Sequence, residues 1–263
     1  MIGQEALLNR LKMNTMQTFP HTILLLGESG CGKHTLSDEL SHYYNIPLFD
    51  ITNNITLDTI ENIYLNTFSS FYLVDMTKVN EKQQNMLLKL IEEPNDLTYI
   101  ILLSENKLNL LNTIVNRCIV YDFKNYTIDE LKQFTKETDE RLFKLCSTPG
   151  QLKGMSVTKM DSLFSLCEAM LTKMNMATFP NTLSIANKLN YKDDYDKFDV
   201  NIFFKALILK CLELYENHIE VKPLYDVINV AYKKSRDARL NKNYLVQSML
   251  LDMWRIANGQ NNI

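Results

Sequence analysis

Short apolar runs and amphipathic stretches alternate through the first half of the chain. Apolar runs at Thr22–Leu26, Pro47–Ile51, Phe71–Val74, Tyr99–Leu103 and Cys118–Phe123 predict five strands. Helical spacing fills the intervals near Thr35–Tyr44, Leu57–Asn66, Asn80–Glu93 and Leu108–Val115. Strands that alternate with helices predict a mostly parallel five-stranded sheet covered on both faces. The Asn80 helix is the best specified. Asn80 is a good cap, Gln83 stands where a capping box wants Glu or Gln, and Pro94 follows the end. Met86, Leu87, Leu90 and Ile91 give it one apolar stripe.

After Phe123 the strand pattern stops. Ile128–Phe134 and Asp139–Cys146 read as short helices, closed by Thr148-Pro149-Gly150. From about Met155 the pattern is helical to the end, with breaks near Phe179-Pro180, Tyr191–Asp199 and Val221-Lys222-Pro223. The charged run Tyr191–Lys197 reads as a solvated loop. Three parts are therefore expected: an α/β domain over 1–123, a small helical segment over 124–154, and an all-helical domain over 155–263.

Composition narrows the classes. The 263 residues have room for two or three small domains. A hydrophobic content of 46% with 22% charged residues is that of a soluble globular protein. The formal net charge of −3 argues against a chain that grips DNA by itself, which needs a clustered basic excess. No apolar run approaches the roughly 18 residues of a membrane span, and no secretion pattern opens the chain. Cys31, Cys118, Cys146, Cys167 and Cys211 are scattered and never spaced as C-x-x-C. That predicts reduced thiols, a cytoplasmic setting and no zinc or other metal cluster.

Three places carry chemistry. Gly27-Glu28-Ser29-Gly30-Cys31-Gly32-Lys33 follows the first strand and opens a helix, the setting a P-loop requires. Its glycines let backbone amides cradle phosphate oxygens, and Lys33 reaches the terminal phosphates. The hydroxyl that should follow the lysine and hold Mg²⁺ is replaced by His34. Thr35 could substitute only one position late, where a helix turns the side chain about 100° away. The second place is Phe71–Asp75, a buried strand ending in an acid. Asp75 reads either as a Walker B metal-holding residue or as the cap of the next turn. The Glu that often follows as general base is replaced by Met76, and a lost base typically costs about 10²–10⁴-fold in rate. No meaningful ATP hydrolysis is expected here. The third place is Thr113–Cys118, where Arg117 reads either as a residue offered to a neighbour or as a surface arginine in an ordinary ion pair. Position alone favours the ion pair.

Several separated segments together resemble one family. Met1-Ile2-Gly3-Gln4-Glu5 looks like the "VGQ" box of AAA+ clamp-loader modules, and Phe19-Pro20-His21-Thr22 like the "PHA" before their P-loop. Leu87–Pro94 is close to "LLKTLEEP", Ile100–Ser104 resembles the sensor 1 strand, and Asn116-Arg117-Cys118 resembles "SRC". Order and spacing agree across residues 1–123. Within the family the chain resembles the delta-prime branch of the bacterial DNA polymerase III clamp loader.

The resemblance implies an AAA+ module, a small lid and a helical collar, with several partners. These are gamma/tau-like motor subunits, a delta-like subunit, a sliding clamp and primed DNA reached through the complex. It implies a non-hydrolysing stator whose Arg117 acts in trans on a neighbour's nucleotide. Gly27, Gly30, Gly32, Lys33, His34, Thr35, Asp75 and Ser104 become the degenerate nucleotide site. Either ATP or ADP binds there weakly, with Mg²⁺ only alongside nucleotide, or His34 fills the pocket. The chain departs from the pattern in two places. No four-cysteine zinc module lies between the P-loop and the Phe71–Asp75 strand, and Gln151-Leu152 stand where a sensor 2 arginine is expected after Pro149-Gly150. Leu240-Asn241-Lys242-Asn243 before an apolar helix is the main collar likeness. The alternatives are an active clamp-loader motor or other AAA+ ATPase, and a helicase-loader-like replication accessory protein.

Overall fold

The computed structural model describes residues 2–173, 199–216, 222–237 and 240–259. The expected break at Phe179-Pro180, the loop Tyr191–Lys197 and all but the last residue of the break at Tyr191–Asp199 lie outside them. The chain forms two compact units. One comprises Met1–Thr138 with Ser147–Gly154, the other Asp139–Cys146 with Met155–Ile263. The segment expected as one lid over 124–154 is thus shared, its helix Glu140–Leu145 belonging to the second unit.

In the first unit, β1 (Thr22–Leu26), β2 (Leu48–Asp50), β3 (Ser70–Asp75), β4 (Thr98–Ser104) and β5 (Ile119–Asp122) form one sheet in the order β2-β3-β4-β1-β5. Every pairing is parallel. This is the five-stranded P-loop sheet that the AAA+ resemblance implies. All five residues of β1 and all seven of β4 are buried, because both faces of the sheet are covered. Alternation divides them. Ile23, Leu25, Phe71, Leu73, Tyr99, Ile101 and Leu103 join one apolar cluster, and Leu24, Leu26, Tyr72, Val74, Ile100 and Leu102 join the other.

The Asn80 capping box forms with both arms. The Gln83 amide donates to Asn80 Oδ1 at 3.0 Å and the Asn80 amide to Gln83 Oε1 at 3.1 Å. The helix they open, Glu81–Glu92, buries Leu87, Leu90 and Ile91.

Three local expectations change. A helix at Glu5–Lys12 precedes β1, its Leu8 and Leu11 buried; it was not expected from the pattern. Gln4 anchors it, donating to Lys124 O at 2.8 Å and accepting from the Lys124 amide at 3.1 Å. The helix expected from Leu108 is only Asn112–Val115. Gln84 holds the preceding segment out of the helix, donating to Asn109 O at 2.9 Å and accepting from the Leu111 amide at 3.0 Å. Thr148-Pro149-Gly150 does not close a helix but opens one, Pro149–Gly154, because proline suits a first helical turn whose amides need no partner.

Every regular element among the described residues of the second unit is a helix. Val200–Glu216 packs against both Val157–Lys173 and Lys222–Ser235, and the latter packs against Lys242–Ala257. Phe204, Leu207, Cys211, Ile228, Met249 and Met253 are buried in it. Pro223 sits in a first helical turn. The Asn241 side chain caps the last helix, accepting from the Asn243 amide at 2.9 Å.

Candidate functional site

The P-loop leaves the C-terminal end of β1 and enters the helix Lys33–Tyr44. Gly32 caps that helix at φ 100° and Gly30 sits at φ 76°, left-handed backbone that side chains resist. Gly30 faces Gly150 so closely that a Cβ on Gly150 would lie 2.5 Å from Gly30 Cα. Neither position has room for a side chain.

Every carbonyl from residue 27 to 31 accepts a hydrogen bond. Lys33 Nζ donates to Gly27 O at 2.6 Å and to Glu28 O at 3.1 Å. Thr148 Oγ1 donates to Ser29 O at 2.8 Å and the Gly150 amide to Gly30 O at 3.0 Å. Tyr126 OH donates to Cys31 O at 2.8 Å. Burial pushes the Tyr126 phenol up to about 12, so it stays a donor. Ser147 Oγ adds a bond of 2.5 Å to the Glu28 carboxylate. The amides of Ser29, Gly30, Gly32 and His34 make no hydrogen bond among the described residues. With its carbonyls tied back and these amides free, the loop keeps the form of an anion cradle.

The loop lines a cavity of about 620 Å³ with Ser29, Gly30, Gly32, Lys33, His34 and Thr35, and Asp75, Thr77 and Glu105 line it as well. His34 and Thr35 are both exposed on the first turn of the helix. Asp75 caps the turn after β3 and also lines the cavity. Burial raises its pKa, but the Thr77 hydroxyl and amide and the Lys78 ammonium outweigh this and hold the carboxyl below the ordinary aspartate value. Thr77 Oγ1 donates to Asp75 Oδ1 at 2.6 Å.

Met76 is not in the cavity. Its side chain is 2% exposed, in the apolar cluster with Val74, Leu87 and Leu102. Gly27 and Ser104 lie outside the lining too. Ser104 is buried and donates to Asn106 O at 2.8 Å, while its neighbour Glu105 reaches the cavity. Gln151 accepts from the Ser147 amide at 2.8 Å and Leu152 is buried. Lys153, on the same short helix, lines the cavity. Sequence reasoning missed it; its only signal is a basic residue one helical turn past Gly150.

Arg117 stands elsewhere. It follows Asn116, the C-cap of the helix Asn112–Val115, and precedes β5. Because β1 and β5 are parallel, it lies at the end of the sheet away from the P-loop. The three residue steps of β5 from Ile119 to Asp122 alone set it off by roughly 10 Å. The Arg117 amide donates to Ile114 O at 3.0 Å, and Cys118 Sγ bonds the same carbonyl at 3.1 Å. Arg117 Nη2 pairs with Glu92 Oε1 at 3.0 Å and Nη1 donates to Thr113 O at 2.9 Å. The side chain remains 42% exposed. Burial pushes the Cys118 thiol up to about 12, which leaves it unreactive.

Residues 49–127 match the family described as DNA polymerase III, delta subunit. A DNA polymerase III subunit delta' from Buchnera aphidicola subsp. Baizongia pistaciae is 28% identical over 150 residues, which cover 54% of this chain and 44% of that protein. Over that stretch the chain is similar to a delta-prime subunit. The matched part of the delta-prime-like chain spans β2 to β5 and includes Asp75, Ser104 and Arg117. The chain matches less than half the length of this curated relative. Among solved structures, a DNA polymerase III gamma subunit-related protein of Thermotoga maritima is 16% identical at TM-score 0.47, covering 99% of this chain and 100% of that one. The Thermotoga maritima RuvB Holliday junction branch migration motor is 18% identical at TM-score 0.49, covering 94% and 88%. No helix among the described residues is long and apolar enough to cross a membrane.

Proposed function

We propose that the delta-prime-like chain is a non-hydrolysing clamp-loader subunit working in the cytoplasm. It assembles with gamma/tau-like motor ATPases and a delta-like subunit, and helps place a sliding clamp on primed DNA. Arg117 is offered in trans to the nucleotide of a neighbouring motor. One contrast carries this reading: Met76 is turned into the core, whereas Arg117 is exposed at the far end of the sheet from its own cavity. A buried thioether cannot take a proton from water, and an arginine so placed serves another chain's nucleotide rather than its own.

The cradle suits phosphate and the metal-holding set does not. The free loop amides, Lys33 and Lys153 hold ATP or ADP weakly, while His34 supplies no hard oxygen for Mg²⁺. Mg²⁺ enters only with nucleotide, through Asp75.

The test is ATP turnover by motor and delta-like subunits from the same genome, with clamp and primed DNA. It is run without this chain, with it, and with Arg117→Ala. The chain alone should be silent, and its stimulation should fall by about 10³-fold in the variant. Equal stimulation by both proteins would remove the finger. A second reading, an active ATPase using Thr35, draws on the position of Thr35 in the cavity lining. Turnover by the isolated chain that vanishes with Lys33→Ala would establish it.

A further inference from the structure

We propose that Glu92 is a positioning residue for Arg117, holding the guanidinium in the orientation from which it reaches a neighbour's phosphate. This rests on the in-trans role given to Arg117 above. Two contacts, to Glu92 Oε1 at 3.0 Å and Thr113 O at 2.9 Å, engage one hydrogen on each terminal nitrogen. A guanidinium carries five N–H donors in a rigid plane, so three stay unspent while rotation of the side chain is arrested. The backbone beneath is fixed as well, by the Arg117 amide and the Cys118 thiol on Ile114 O. Arginine loses its rotamers on binding unless they are already restricted, and this clamp restricts them beforehand.

The placement of Glu92 points the same way. It is the last residue of the helix Glu81–Glu92, where the helix dipole disfavours an anion. An ion pair this exposed also contributes little to stability. Neither helix formation nor folding accounts for a carboxylate there, whereas orienting Arg117 does. The Arg117 contact to Thr113 O also satisfies one of the open carbonyls at the end of Asn112–Val115. The pair thus joins the end of the helix Glu81–Glu92 to the turn that follows Asn112–Val115, one residue from each of the segments Leu87–Pro94 and Asn116–Cys118.

Two measurements test this. On the chain alone, the Arg117 Nε–Hε order parameter from NMR relaxation should be high and should fall in Glu92→Gln. No change would overturn the positioning role whatever the partner assay shows. In the reconstituted motor assay, Glu92→Gln should lower stimulated kcat about tenfold with KM and complex formation unchanged, and Glu92→Asp should restore most of it. Wild-type turnover by Glu92→Gln beside an inactive Arg117→Ala would sink the inference and leave the finger standing. Wild-type turnover by Arg117→Ala would sink the finger itself.

Discussion

The P-loop cavity and the Arg117 edge hang on the same parallel sheet, at opposite ends of adjacent strands, and they have been treated differently. At the cavity the backbone device survives: Gly30 and Gly32 in left-handed conformation, carbonyls tied back, Lys33 against the loop. The side chains differ from the motif: His34 stands in place of a hydroxyl and Met76 lies inside the core. At the other end the side chain itself is kept and held, with Arg117 clamped by Glu92 and Thr113. A cradle of main-chain amides tolerates loss of its metal ligand because its shape is set by backbone contacts. A finger of the kind proposed for Arg117 acts only through its side chain, so only the side chain and its supports need to persist.

The largest effect that bears on this contrast concerns Met76. If the cavity were merely missing its base, Met76→Glu would restore one. The position is buried among Val74, Leu87, Leu90 and Leu102, so the variant should instead lose about 3–5 kcal/mol through an unpaired buried carboxylate. Urea denaturation measures this. A wild-type midpoint together with ATP turnover sensitive to Lys33→Ala would show the cavity to be one side chain short of an enzyme.

Next in size is the contact that shapes the cradle. Gly150→Ala places a methyl 2.5 Å from Gly30 Cα, backbone against backbone. It should cost about 1–3 kcal/mol of stability and weaken ADP binding by isothermal titration, leaving the Arg117 edge unchanged in the motor assay. Unaltered ADP affinity would mean that Ser147–Gly150 does not shape the loop.

The smallest effect is electrostatic. Asp75 has a folded pKa below its unfolded value, since the bonds from Thr77 and Lys78 outweigh burial. Its contribution is therefore fully present above the ordinary aspartate range and is lost as pH falls through the folded value. Thr77→Val removes one of those bonds. Its deficit relative to wild type should be visible at about pH 6 and shrink toward about pH 2–3. A deficit independent of pH would assign Thr77 a packing role only.

Much of this molecule follows from local pattern. The apolar runs of β1, β3 and β4, the Asn80–Gln83 capping box, and the P-loop between a strand and a helix depend on residues within a few positions of each other. Short-range sterics and hydrogen bonds fix such features, so they can be read off the chain. The motif residues were likewise legible as types: an arginine at 117, a histidine at 34, a methionine at 76.

What those residues do was decided at long range. Helical spacing from Leu108 gives way because Gln84 captures Asn109 and Leu111 from another element. Lys153 enters the cavity because a helix opens at Pro149 with Gly150 seated on Gly30. Met76 turns inward because the strand's last step meets a short helical turn capped by Asp75. The Glu92–Arg117 pair closes across 25 positions (117 − 92), between the ends of two helices. The sequence by itself determined which segments became strands and helices and where a phosphate cradle could form, because those depend on neighbours in the chain. Only the tertiary structure decided which side chains face the cavity, the core or solvent, because that is set by the packing of elements that local pattern does not encode.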